Sequence, residues 1–179
     1  MDKNIRLILA GTLGGIVIAT IMTGCSSKPT YEQKRSDVIT YLQAFNGIED
    51  SFDSASSQIV YPQSLNTTVD LVALNAAITE LLPALDGAIS RLKELKPSSL
   101  EISTSTHLQQ VRSFYQSQRL LVRELQDAVT SGDLAVIVLK ANELADTNAS
   151  ASSLNRATEQ LMLQYNISDS EVGYSFRGK

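Results

Sequence analysis

The sequence predicts an all-α protein, an antiparallel up-down-up-down four-helix bundle with its second helix kinked at Pro83. Three observations predict it. Apolar side chains recur at three- and four-residue steps along four segments of about 25 to 32 residues, the period of helices with one buried face. Ala, Leu, Gln and Glu fill the positions between them, and Val and Ile fall at helical rather than alternating spacing, which argues against strands. The interruptions Tyr61-Pro62-Gln63-Ser64, Lys96-Pro97-Ser98-Ser99 and Ser131-Gly132-Asp133 are short, as antiparallel neighbours require.

Ahead of the bundle, Lys3 and Arg6 form a positive start and Leu7 to Met22 an uncharged apolar run. Small residues then precede Cys25, which is the layout of a secretory signal. A permanent span needs roughly 20 apolar residues, whereas this run offers about 16, diluted by Gly11, Gly14 and Gly15. Met22, Thr23, Gly24 and Cys25 together resemble the lipobox that signal peptidase II recognises in bacterial lipoproteins. The resemblance covers only the start of the chain. It implies that residues 1–24 are removed, that Cys25 receives a diacylglyceryl thioether, and that its freed amine takes an acyl group such as palmitate. It also implies a cell-envelope location on the extracytoplasmic side: the outer face of the cytoplasmic membrane, or the outer membrane where a second one exists. Ser26 in place of an Asp resembles the released, outer-membrane type. Cys25 is the only cysteine and so has no intramolecular disulfide partner. Two or three acyl chains make a stable anchor where one is marginal.

Taking 24 residues from 179 leaves 155, the size of one domain with its own core. Removing Lys3, Arg6 and Asp2 from 15 basic and 19 acidic side chains leaves an excess of five negative charges. That balance argues against nucleic acid as a partner and against a polybasic grip on anionic lipid.

Residues 25–30 are the lipidated cysteine and a short polar tether, and residues 31–165 the bundle. The first helix places Tyr31, Val38, Leu42, Phe45, Phe52, Ala55 and Ile59 on one face. The second carries Leu71, Leu74, Ile78, Leu81, Leu82, Leu85, Ile89, Leu92 and Leu95, with Pro83 inside the stripe. That proline removes a donor and clashes with the carbonyl of Thr79, which predicts a kink or two shorter helices. A serine of the following turn is available to cap the third helix, whose face is Leu108, Val111, Phe114, Tyr115, Leu121, Val122, Leu125 and Val129. Gly132 ends that helix in the left-handed region and Asp133 caps the next. The fourth stripe is Leu134, Ile137, Val138, Ala141, Leu144, Ala145, Ala151, Leu154, Leu161, Met162 and Tyr165. Residues 166–179 are polar and expected as a flexible tail. The run Leu92-x-x-Leu95-Lys96-Pro97, with His107, Gly132-Asp133 and an Ala-rich last helix, is similar to small helical lipoproteins of many bacteria. That likeness implies a fold and no activity.

His107 is the only histidine, so di-iron bundle motifs, a His-Glu-x-x-His zinc helix and a three-histidine zinc site are excluded. Its expected role is a partly buried core-edge residue. His107 and Met162 approach the same end of the bundle, as haem ligands do in some four-helix cytochromes, but Met162 sits at a core position where methionine fills gaps. No cofactor and no metal is expected. Gly173-x-x-x-x-Gly178-Lys179 lacks the strand, the Ser/Thr and the helix of a phosphate loop. No Gly-x-Ser-x-Gly elbow occurs after the signal. Glu49, Asp50 and Asp53, and likewise Glu143 and Asp146, have no cleft to separate their pKa values, so they are expected as solvated faces.

No enzyme is expected. The leading expectation is a lipid-anchored extracytoplasmic accessory or scaffold protein, joined to the membrane through Cys25 and to an envelope protein partner. Tyr61, beside Pro62, and Tyr174 are the candidate contacts. The alternative is a solute- or cofactor-binding bundle, with an apolar ligand between helices loosened at Pro83 and Gly87.

Overall fold

The computed structural model describes residues 28–59 and 68–173, and among them the chain is all-helical, with no strand. The helices are α1 (Tyr31–Ser56), α2 (Thr68–Glu94), α3 (Ile102–Ser131), α4 (Leu134–Asp146), α5 (Asn148–Gln164) and the single turn α6 (Asp169–Val172). Residues 28–30 are non-helical and exposed. The cysteine, the lipobox residues, Tyr61 and Tyr174 lie outside the described residues.

The stripes read from the sequence build most of the core, but Tyr31 and Ala55 of the first stripe are exposed. On α1, Val38, Tyr41, Leu42, Phe45 and Ile48 are buried. On α2, Leu74, Ala77, Ile78, Leu81, Leu85, Ala88, Ile89 and Leu92 are buried, and on α3, Leu108, Val111, Tyr115, Val122, Leu125 and Ala128. The α2 helix packs against α1 and α3, α3 also against α4 and α5, and α4 against α5. The α2 helix runs unbroken through Pro83, which sits on its exposed side, so the alternative of two shorter helices does not occur. Although α2 is long and apolar enough to cross a membrane, with a mean hydropathy of 1.3 over its best window, eight of its apolar side chains are buried in the core and Val72 is exposed. Its outer face carries Asp86, which pairs with Arg119 of α3.

The third helix is capped differently from the expectation. Its N-cap is Glu101, whose carboxylate accepts from the Ser103 amide (3.2 Å) and hydroxyl (2.8 Å). Ser98 orders the turn before it, accepting from the amides of Leu100 (3.2 Å) and Glu101 (3.0 Å) and donating to Asp37 of α1. The other end is as the sequence indicates. Gly132, at φ 72°, donates to the carbonyls of Ala128 and Val129, and Asp133 accepts from the amides of Ala135 (3.0 Å) and Val136 (3.2 Å).

Two expectations for the C-terminal half are corrected. The fourth segment is two helices, broken at Thr147, whose hydroxyl donates to the Leu144 carbonyl at 2.6 Å. Such a side chain offers the backbone a partner other than the helical ladder. Residues 166–173 are not a free tail. Asn166 turns the chain at φ 48°, and α6 is closed by a capping box between Ser168 and Glu171. Ile167 and Val172 are buried. Arg35 of α1 holds the turn, donating to the carbonyls of Tyr165 and Asn166 (3.1 Å each) and to the Glu171 carboxylate (2.6 Å). Gln43 and Asn46 donate to the carbonyls of Glu171 (2.7 Å) and Val172 (2.9 Å).

Several of these bonds define one end of the helical body. The Tyr31 ring stacks on Tyr165 at 5.7 Å, Lys34 pairs with Glu101 at 3.6 Å, and Asp37 meets Ser98. The first turns of α1 and α3 and the last turn of α5 therefore lie together where the chain enters from residue 30.

Candidate functional site

His107 occupies the middle of the core, 2% exposed, with Phe45 edge-on at 5.1 Å. Its Nδ1 lies 2.7 Å from the Tyr41 hydroxyl and its Nε2 2.9 Å from the Thr158 hydroxyl. Thr158 donates its hydrogen to the Leu154 carbonyl at 3.1 Å, which fixes the direction of the whole chain. Thr158 must accept from Nε2–H, so Nδ1 is the unprotonated nitrogen and accepts from Tyr41. Burial lowers the imidazole pKa to about 4 and raises that of Tyr41. Both nitrogens are engaged and the ring is sealed from solvent, so His107 offers no lone pair to a haem iron and no proton to a substrate. It is a core residue, more deeply buried than the sequence indicates.

The carboxylate groups divide. Among Glu49, Asp50 and Asp53, the half-buried Glu49 accepts from the Tyr115 hydroxyl at 3.2 Å. Burial pushes its carboxyl up to about 7, opposed by that bond and supported by Asp53 and Asp50. Glu143 pairs with Lys140 at 2.9 Å, and Lys140 also reaches Glu124 of α3 at 2.7 Å. Among the described residues no cluster of three or more His, Cys, Asp or Glu side chains suits a metal.

Two surfaces were not foreseen. An open groove of about 710 Å³ runs between α3 and α5, bordered by Gln110, Ser113, Phe114, Ser153, Arg156 and Gln160. It forms where small side chains, Ser113 and Ser117 facing Ser153 and Ala157, leave the seam unfilled. Its lining combines Gln, Ser and Thr side chains with Phe114, Leu154 and Ala157, and it does not include Pro83 or Gly87, both of which are exposed.

The second surface is α4. Only Ile137 of this apolar helix is buried, while Leu134, Val136, Val138 and Leu139 are exposed by 50, 37, 48 and 54%. Leu134, Val138 and Ala145, placed on the buried stripe by their spacing, face solvent instead. A run of apolar residues on successive positions cannot all fit one stripe, and this was the signal available in the sequence. Around α4, Asp127, Asp133 and Asp146 are exposed and make no ion pair among the described residues. The surface is therefore an apolar strip with an acidic margin.

No protein-family model, curated protein or solved structure matches this chain.

Proposed function

We propose that the protein is a lipid-anchored, extracytoplasmic helical accessory protein of a bacterial cell envelope, tethered at Cys25 and docking an envelope protein through the outer face of α4. The observation that supports docking is the exposure of Leu134, Val136, Val138 and Leu139 on one short helix. Contiguous exposed apolar side chains with a polar rim are the usual mark of an interaction surface. The acidic margin favours a partner segment whose apolar face is bordered by Lys or Arg. The anchor rests on the sequence from Lys3 to Cys25, and the reading is of a binder, not an enzyme. In this reading, α4 and α5 count as one broken helix, the four long segments run up-down-up-down, and α2 bends at Pro83.

A photo-cross-linking residue at Leu139 in the native, lipidated protein tests the docking. One dominant protein adduct is expected, lost in the Val138→Glu variant and reduced in Cys25→Ser. No adduct, or an adduct indifferent to Val138→Glu, overturns it. A second reading, solute binding, is favoured by the α3–α5 groove, whose volume lies in the range of ligand sites. Its lining sets amides, hydroxyls and Arg156 beside Phe114 and Leu154, which suits a solute with both polar and apolar parts. A small molecule retained in native mass spectrometry, and released by Ser113→Leu, would select that reading.

A further inference from the structure

Among the described residues, the large apolar side chains most exposed to solvent are Ile102, at 82%, and Leu163, at 80%. They belong to different helices, α3 and α5, 61 positions apart in the sequence, and each lies in a terminal turn. Those two turns are held together by Tyr165, whose hydroxyl donates to Glu101, the residue before Ile102. Tyr31, half-exposed, stacks on the same Tyr165. Scattered exposed apolar residues need no explanation. These three converge on one end of the helical body, the end at which the chain enters.

We propose that this end, with Ile102, Leu163 and Tyr31, seats on the bilayer surface, so that the lipid anchor holds the protein by an oriented contact rather than on a free leash. The proposal rests on the anchor reading of Cys25. Six residue steps separate Cys25 from Tyr31, a reach of at most about 20 Å when fully extended, so the face cannot stray far from the headgroups. Ile and Leu bury favourably at that boundary, and tyrosine suits a site with one end apolar and the other wet. At this end Lys34 pairs with Glu101 and Arg35 with Glu171, and the exposed Lys28 and Glu32 are opposite in sign, so the contact needs no anionic lipid. The α3 helix spans 30 residues, about 45 Å at 1.5 Å per residue. Seating its start on the membrane points its far end, where α4 begins, away from the bilayer and towards a partner.

The chain contains no tryptophan, which gives a clean optical test. Ile102→Trp, Leu163→Trp and Val138→Trp are each prepared as the full-length, lipidated protein. Each is reconstituted in phosphatidylethanolamine–phosphatidylglycerol vesicles with and without bromine on the acyl chains. At positions 102 and 163, at least twofold quenching and a blue shift on vesicle binding are expected, against little change at 138. Because Trp favours interfaces wherever it is placed, position 138 carries the same bias and serves as the control. Vesicle-bound, lipidated protein with equal quenching at all three positions, or none, overturns the seating while leaving the anchor intact. Protein lacking a lipid mass at Cys25 overturns the anchor and the seating with it.

Discussion

Burial acts on His107 and Glu49 in opposite directions. The imidazole falls from 6.5 to about 4, so the unfolded chain binds the extra proton between those values, and stability is lost as pH falls through the window. Fully expressed, that is about 3 kcal/mol at 1.36 kcal/mol per unit. Glu49 rises from 4.5 to about 7, so its contribution is present below 4.5 and lost as pH rises through 7. The two oppose each other between about pH 4.5 and 6.5, and the native protein should show a shallow profile there. Glu49→Gln keeps an acceptor for Tyr115 and removes one of the two. In urea unfolding the variant should match the native protein near pH 4, rise more steeply to pH 6.5, and exceed it at pH 8 by about 1–2 kcal/mol, discounted for partial solvent access. Parallel profiles would show that Glu49 ionises without cost. The burial of His107 was partly legible, as one polar residue beside an apolar stripe. Its partners were not, because Tyr41 and Thr158 lie 66 and 51 residues away and meet it only through packing.

Helix periodicity was legible wherever one face is buried, and so were the stop at Gly132 and the cap at Asp133. The break at Thr147 has no Gly or Pro to announce it. It comes from a hydroxyl that competes for the backbone. Residues 166–173 misled for a related reason. Only Ile167 and Val172 are large and buried there, too few for a periodic pattern, and the rest of the attachment is made by Arg35, Gln43 and Asn46 from the opposite end of the sequence. Ending the chain after Tyr165 should therefore destabilise the helical body by roughly 3 kcal/mol, the burial of two aliphatic side chains at about 1.5 kcal/mol or more each. Arg35→Ala should produce part of that loss. Equal thermal midpoints for the full and shortened chains would return residues 166–173 to the status of a tail.

Among the described residues, two groups of exposed apolar side chains stand out, besides Val72 of α2 and Leu120 of α3. Ile102, Leu163 and Tyr31 lie at the end that the chain enters, and Leu134, Val136, Val138 and Leu139 alongside the far end of α3. The core between them is sealed around a fully bonded histidine. That distribution suits a spacer that holds one surface at a membrane and offers another to a protein. The α4 surface left a trace in its run of successive apolar residues, but the surface at Ile102 and Leu163 left none, since exposure depends on which neighbours the fold supplies, whereas the anchor reading rests on the sequence alone. The anchor is the claim on which the rest depends, and intact mass spectrometry of protein extracted from membranes tests it most directly. The account predicts a chain beginning at Cys25 with the added mass of a diacylglyceryl group, with or without a further acyl group, and Cys25→Ser protein that is neither processed at that position nor lipid-modified. A native chain that begins elsewhere, or begins at Cys25 with a free thiol, would contradict it.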